Sequence, residues 1–553
     1  MRYLLTGILL IIVFEGSCQN TLTATRTDFG NHQIDRLYHI GKDTASLLFS
    51  SWKPYQNREV ARLIEKKATE NKFTSYLYKD YWEYLEGVSF TSRKPLFKKL
   101  YLSEDNFFHH HGEGIRINVN PLLHFQLGND SQTGSPLYIN RRGLMIEGLI
   151  DEKLSFQTTL TENQVRLPSY VREFQQEFGV IPGIGFWKLL GDDAYDFLFA
   201  SGHIDFQATK HISLQLGHDR FFIGNGSRSL FLSDFSNNYP YFKIKTKIWK
   251  FQYTNLYAQL TADVNSFDGG TFGTGEFPKK FMTLHHLSLD VSKKVTIGLF
   301  ESVIFSRQDS IGNNQFEFAY LNPVIFYRAA EQQTGSPDNA LLGAEINWKV
   351  VNKASLYGQF VIDEFIISNV FGNRGSWSNK YAYQVGLKYF DVLGINRLDL
   401  QVEHNFGRPY SYSHTTQTTS YSHYEQPLAH PLGANFTELL AIVRYRPLPK
   451  LYFYGKLLTA EYGEDTETSN VGKNILLPNP SRDSDEGNFV GQGINTKLLF
   501  AELRVSYMLK HNLFIDLSQI VRREDSEIDD RNLNNAITTV GIRLNLASGD
   551  YTF

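Results

Sequence analysis

The chain has one cysteine, Cys18, in 553 residues, so no disulfide framework organises it. Long apolar runs are equally scarce. Residues 4–14 form a short one behind the basic Arg2. Nothing after it reaches the roughly 20 residues that a membrane-spanning helix needs. Charge of one sign is lacking too: the net value is -3, which gives no argument for a nucleic-acid partner. Only 4 methionines are present, and the usual motifs of cofactor or phosphate binding are missing. Gly224-Asn225-Gly226 has no lysine and no helix after it, so it is no phosphate loop and reads as a bend where a strand leaves the membrane.

What the chain does have is aromatic residues and alternation. Aromatics make up 14%, with 42 Phe and 31 Tyr, a composition that suits strands and interfacial girdles better than a helical core. Residues 212–248 contain an alternating arm, a polar and aromatic loop, and a second arm. In that second arm Phe242, Ile244, Thr246 and Ile248 share one face, and Lys243, Lys245 and Lys247 the other. Period-2 alternation describes a strand with one apolar and one polar surface. The pattern recurs. Leu398, Leu400, Val402 and Phe406 oppose Arg397, Asp399, Gln401, Glu403 and Asn405, while Leu342, Ala344, Ile346, Trp348 and Val350 oppose Gly343, Glu345, Asn347 and Lys349.

Short gaps, such as 151–153, 210–211, 249–250 and 510–511, alternate with long ones, such as 168–194, 224–240, 308–338, 408–434 and 464–493. Short turns on one side and long loops on the other are the pattern of outer-membrane barrels. A ring this wide cannot be filled by its own strand side chains, so apolar-out and polar-in is the consistent arrangement. The expected fold is all-β, a transmembrane antiparallel β-barrel of about 18 strands over residues 113–553. Its last strand, 536–546, is followed by a terminal Phe553, which reads as a signal for the outer-membrane assembly machinery.

Residues 1–18 read as an export signal. Glu15 stands where a lipobox needs an apolar residue, which favours ordinary cleavage over lipidation of Cys18. Residues 19–112 are expected to be periplasmic and to include short helices. Val60, Leu63 and Ile64, then Leu77, Tyr81, Tyr84, Leu85 and Val88, follow the helical period. His109-His110-His111 reads as a solvated linker, because consecutive histidines on an extended chain point different ways.

No catalytic constellation, metal set or cofactor is expected. His285-His286 face opposite sides of one strand. Asp363-Glu364 and Glu438 read as lumen carboxylates balanced by Arg444 and Arg446. The candidate ligand-binding residues are the Lys243, Lys245 and Lys247 stripe, with Arg220 and Arg228 beside it, as a seat for an acidic glycan or a bias on ion flow; neutralisation by facing carboxylates is the alternative. Tyr410, Tyr412, Tyr421 and Tyr424 of a long loop are candidates for stacking on sugars or for the interfacial belt.

Residues 218–246, HDRFFIGNGSRSLFLSDFSNNYPYFKIKT, resemble the capsule-assembly Wzi-like outer-membrane barrels, closest to their Bacteroidetes branch, which includes the gliding motility protein RemB. AYLNPVIFYR (319–328), an outer-loop segment, and QPLAHPLGANFTE (426–438) carry the same resemblance. It implies an eighteen-stranded barrel with a periplasmic helical bundle. It also implies a non-enzymatic role in attaching surface polysaccharide or in gliding. The partners it implies are outer-membrane lipid, surface polysaccharide, and motility or capsule-export components. A porin or substrate channel, and an outer-membrane enzyme acting on surface glycans, are the alternative classes.

Overall fold

The computed structural model describes residues 23–24, 27–41, 44, 47–69, 71–85, 100–262, 277–308, 314–326, 338–363, 375–528, 531–549 and 551–553. The expected export signal lies outside them, as do Val88 and Glu364. Eighteen antiparallel strands close into a barrel. They are β1 (Ile115–Asp130), β2 (Leu137–Ile150), β3 (Leu154–Arg166), β4 (Ala194–Gln207), β5 (Ile212–Asp219) and β6 (Tyr239–Ile248). Next come β7 (Phe251–Thr261), β8 (Lys279–Asp290), β9 (Val295–Phe305), β10 (Asn339–Val351), β11 (Ala354–Ile362) and β12 (Tyr381–Tyr389). The ring ends with β13 (Leu398–Gly407), β14 (Phe436–Leu448), β15 (Leu451–Glu464), β16 (Ile494–Lys510), β17 (Leu513–Ser526) and β18 (Leu533–Leu544). Strand β18 pairs back onto β1, Ile537 opposite Asp130 and Leu544 opposite Leu123.

The faces follow the alternation. In β10, Ala344, Ile346 and Trp348 are exposed on the outside, while Glu345, Asn347 and Lys349 are buried inside. In β13, Asp399, Gln401, Glu403 and Asn405 are buried toward the lumen. In β6 the three lysines face inward, as expected.

The His109-His110-His111 stretch corrects the linker reading. Strand β18 pairs with β1 only from Leu123 onward, which leaves the edge of residues 115–119 open. The short strand Phe108–Gly112 fills it, Phe108 opposite Val119 and Gly112 opposite Ile115. Edge N–H and C=O groups that would otherwise go unpaired are thereby satisfied. His109 also accepts a place beside Glu83, 3.0 Å away.

Three helices pack over the short-turn end: α1 (Asp28–Ile40), α2 (Asn57–Lys67) and α3 (Ser75–Tyr81). As expected, Val60, Leu63, Ile64, Leu77 and Tyr81 are buried. Helix α1 goes beyond the expectation. Its docking face is mixed: Phe29 packs on Tyr452 and Phe514 of the wall, Arg36 pairs with Asp391 of the turn after β12 and Asp399 of β13, and Lys388 reaches Asp35 at 2.7 Å. Its three buried apolar residues, Phe29, Ile34 and Tyr38, are interleaved with buried Gln33 and His39, so its hydrophobic periodicity is harder to read than that of α2. A fourth helix, α4 (Ser169–Phe178), lies in the long loop between β3 and β4 and ends at Gly179, whose φ of 72° suits a left-handed cap.

Candidate functional site

The interior of the ring holds three pieces of the chain itself, entering from both ends. From the short-turn end comes the segment before α2. Its Trp52–Lys53 pairs antiparallel with Phe222–Ile223, and Ser50 donates to Asn225 at 2.7 Å. From the long-loop end comes the loop between β5 and β6. The Gly224 N–H meets the Ser51 carbonyl at 2.6 Å, so the two insertions join within the lumen. Gly224 has φ 143°, and a Cβ there would meet Gln359 Nε2 at 2.7 Å. Glycine is required by both the conformation and the space.

This corrects two readings of the sequence. Gly224-Asn225-Gly226 is a bend, but deep in the lumen and not at the membrane exit. Residues 224–240 do not form an outer-surface loop. Alternation could not reveal this, because a loop that folds into a polar interior is itself polar.

A row of wall side chains receives the loop. Gln359 of β11, Gln384 of β12, Asn405 of β13 and Glu438 of β14 stand opposite one another across consecutive strands. Gln359 accepts from Leu230 N at 2.9 Å, Gln384 donates to the Arg228 carbonyl at 2.9 Å, and Glu403 accepts from Ser227 N and Arg228 N at 2.8 and 3.0 Å. These irregular backbone groups taken into the interior thus meet fixed partners, which buried polar groups require. Phe231 stacks on Phe300 with centroids 4.4 Å apart.

The third piece is the C-terminal tail. After β18 ends at Leu544, the chain turns back into the ring. Ser548 N donates to Asp28 of α1 at 3.0 Å. Further up, Lys456 donates to Thr552 Oγ1 at 3.0 Å and Arg228 to the Thr552 carbonyl at 2.8 Å. The Phe553 ring packs against Phe174 of α4 at 4.9 Å and Tyr170 at 5.7 Å. Nine extended residues reach at most about 30 Å, enough to run from one end of the ring to the other. In the folded barrel Phe553 is therefore a plug residue within the ring, and not the last residue of the closing strand.

The nine candidate residues fall into three groups. Lys245 and Lys247 both reach Glu59 of α2, at 3.2 and 2.9 Å. Their ion-pair partner lies on the helical bundle. Burial alone would raise the Glu59 pKa, but the two ammonium groups more than reverse this and hold it at about 2. Lys243 is buried with Nζ 4.4 Å from the Phe221 ring centroid. The stripe fastens the bundle and the loop to the wall.

The two arginines hold the loop. Arg220 donates to the Ser236 carbonyl at 2.9 Å and the Gly183 carbonyl at 3.3 Å. Arg228 forks onto Glu438 at 3.1 and 3.3 Å, and His430 shares that carboxylate at 3.1 Å. Glu438 is a lumen carboxylate as expected, but Arg444 and Arg446 do not balance it. They lie toward the other end of β14, where Arg444 donates to Gln401 and Arg446 to Gln33 of α1.

Three of the tyrosines are buried. Tyr412 and Tyr421 donate to the Leu230 and Phe231 carbonyls at 2.9 and 2.7 Å, and Tyr410 donates to Asn470 at 2.8 Å. Burial lifts the Tyr410 phenol to about 12. These rings stitch the long loops together and offer no face to an outside ligand. Tyr424 is half-buried beside His423 at the loop surface. Elsewhere on the long-loop side, Arg482 lies over the half-buried Trp377 ring at 4.1 Å. Among the described residues no group of three or more His, Cys, Asp or Glu is placed to hold a metal ion. His285 faces outward and His286 inward, where it meets Glu345 at 3.1 Å.

No family model matches the sequence, and no curated protein matches it. Solved structures do. OprD of Pseudomonas aeruginosa matches 77% of this chain and 95% of its own with a TM-score of 0.41 and 11% identity. OccAB2 of Acinetobacter baumannii matches 77% and 97% with 0.42 and 9%. Wzi of Escherichia coli, described as an outer-membrane protein involved in group 1 capsule assembly and a carbohydrate-binding β-barrel, covers 96% of this chain and 100% of its own with a TM-score of 0.56 and 13% identity. The chain shares the Wzi fold, an outer-membrane-type barrel, over 96% of its length.

Proposed function

We propose that this chain is a non-enzymatic outer-membrane protein that binds or organises surface polysaccharide, in capsule attachment or in surface movement. One observation carries the reading: the lumen is occupied from both ends by the chain's own loop, tail and N-terminal segment. A diffusion porin needs that space for solute, and a glycan-binding barrel does not. The likeness in fold to a carbohydrate-binding barrel over nearly the whole chain supports the same reading. The short turns and helices then lie on the periplasmic side, and the long loops face outward.

In this reading Lys243, Lys245, Lys247, Arg220, Arg228, Tyr410, Tyr412 and Tyr421 shape the platform from within. Tyr424 and the Trp377–Arg482 pair meet the glycan, since half-exposed aromatic rings and a guanidinium suit sugar faces and acidic groups. The test is glycan-array binding by the purified barrel and by Tyr424→Ala and Trp377→Ala. Binding to a defined surface polysaccharide, weakened tenfold or more in one of the variants, supports the reading. Absence of any glycan binding, together with ion conductance in planar bilayers, points to a channel instead.

A further inference from the structure

The outer wall of the barrel is apolar nearly all round, with Leu127, Leu198, Leu216, Val385 and Leu503 exposed. On strands β7 to β9 a set of polar groups faces outward as well. Leu256 and Leu284 of β7 and β8 pack inside the ring with Phe221 and Ile223. Strand alternation therefore turns Tyr253, Asn255, Tyr257, Thr283 and His285 outward, and Glu301 of β9, opposite His285, faces the same way. Polar groups on the lipid side of a barrel are costly unless they have partners.

Their partners come from the long loop between β9 and β10. Its described part, residues 314–326, does not stand above the barrel but lies down against this wall. Tyr257 donates to the Leu321 carbonyl at 3.1 Å, Thr283 to the Tyr320 carbonyl at 3.3 Å, and Asn255 to the Pro323 carbonyl at 3.3 Å. Tyr253 donates to the same carbonyl, and Phe326 N donates to Glu301 at 2.6 Å. Phe281, Val303, Phe305, Tyr320 and Ala340 close into an apolar cluster beneath it. The AYLNPVIFYR stretch, expected as an outer-loop segment, thus sits on the wall over its described residues 319–326.

Depth follows from strand length. Strands β7, β8 and β9 have 11, 12 and 11 residues. At about 3.3 Å per residue and a tilt near 40°, each rises roughly 30 Å, little more than the apolar band of about 25 Å. His285 and Glu301 stand midway along their strands, well inside that band. The segment turns its other side away from the barrel: Phe318 is 78% exposed, Val324 56%, Phe326 44% and Leu321 42%. Irregular backbone at membrane depth is tolerated only where its polar groups are satisfied by protein, and the outward polar set of the wall does that here.

We propose that residues 316–326 form an intramembrane strap on the outside of the barrel, whose Phe318, Leu321, Val324 and Phe326 are a docking surface for the acyl chains of outer-membrane lipid. This rests on the outer-membrane reading above. The test is spin labelling of single cysteines, with Cys18 replaced by Ser, in the full-length protein reconstituted into dimyristoylphosphatidylcholine vesicles. Phe318→Cys and Val324→Cys are compared with Val385→Cys on the open wall and Phe489→Cys in an exposed outer loop. The oxygen-to-nickel-chelate collision ratio at 318 and 324 is expected to match that at 385 and to exceed that at 489 several-fold. A ratio equal to that at 489 overturns the strap. Protection from both reagents overturns lipid as the occupant and points to protein. A watery Val385 overturns the outer-membrane reading itself.

Discussion

At the scale of single residues, Glu59 holds more of the molecule together than its place on a helix surface suggests. It is the carboxylate that two lumen lysines share, and its pKa lies at about 2 against an ordinary 4.5. A depressed carboxylate stabilises the fold above the unfolded-state value, and that contribution is lost as pH falls through the folded one. The difference corresponds to about 3 kcal/mol. The docked helical bundle is expected to loosen between pH 4.5 and about 2, read as faster proteolysis within residues 27–85. Glu59→Gln is expected to release the bundle at neutral pH and to flatten that acid limb; limited proteolysis across the pH range decides. The inward direction of Lys243, Lys245 and Lys247 was legible from alternation. The partner of Lys245 and Lys247 was not, because it lies on α2, far away in sequence. The tyrosines show the same limit: sequence places them in a long loop but cannot show that their hydroxyls end on the backbone of another.

Among the elements, the C-terminal tail is the one whose removal separates wall from plug. Strand β18 ends before it, so a chain that stops after Ser548 keeps every barrel hydrogen bond between strands. It loses the Thr552 contacts to Arg228 and Lys456 and the Phe553 packing on α4. Such a truncation, carrying the strands intact, is expected to retain the heat-resistant folded band on a gel. The loop between β5 and β6 is expected to become several-fold more sensitive to added protease. Equal protease resistance in both proteins would show that the tail does not brace the loop. Helix α1 and the tail share a reason for being invisible in sequence. Both bind in part through Asp28, Asp35, Arg36 and Thr552, polar groups whose meaning depends on what lies opposite. Helix α2, which buries Val60, Leu63 and Ile64, could be read directly.

For the whole molecule, the number of strands, their faces and the placing of short turns at one end were all legible, since each rests on local alternation and loop length. The filling of the ring was not, because it depends on where loops go after they leave their strands. The corresponding expectation is functional: the wild-type protein gives no discrete conductance steps in planar bilayers. Replacing residues 225–235 with a short Gly-Ser link removes Arg228, Leu230 and Phe231 from the interior and is expected to open ion-conducting events. Steps of equal size in both proteins would mean that the lumen is passable around the loop.

The inward course of the tail also bears on how the protein can be handled and built. The ring closes between β1 and β18, and the tail that follows β18 lies inside it, so the seam and part of the plug are one continuous stretch of chain. An affinity tag appended after Phe553 would begin against α4 and disturb that packing. A tag inserted at an exposed tip of a long loop, such as beside Phe489, would leave both the seam and its contents undisturbed.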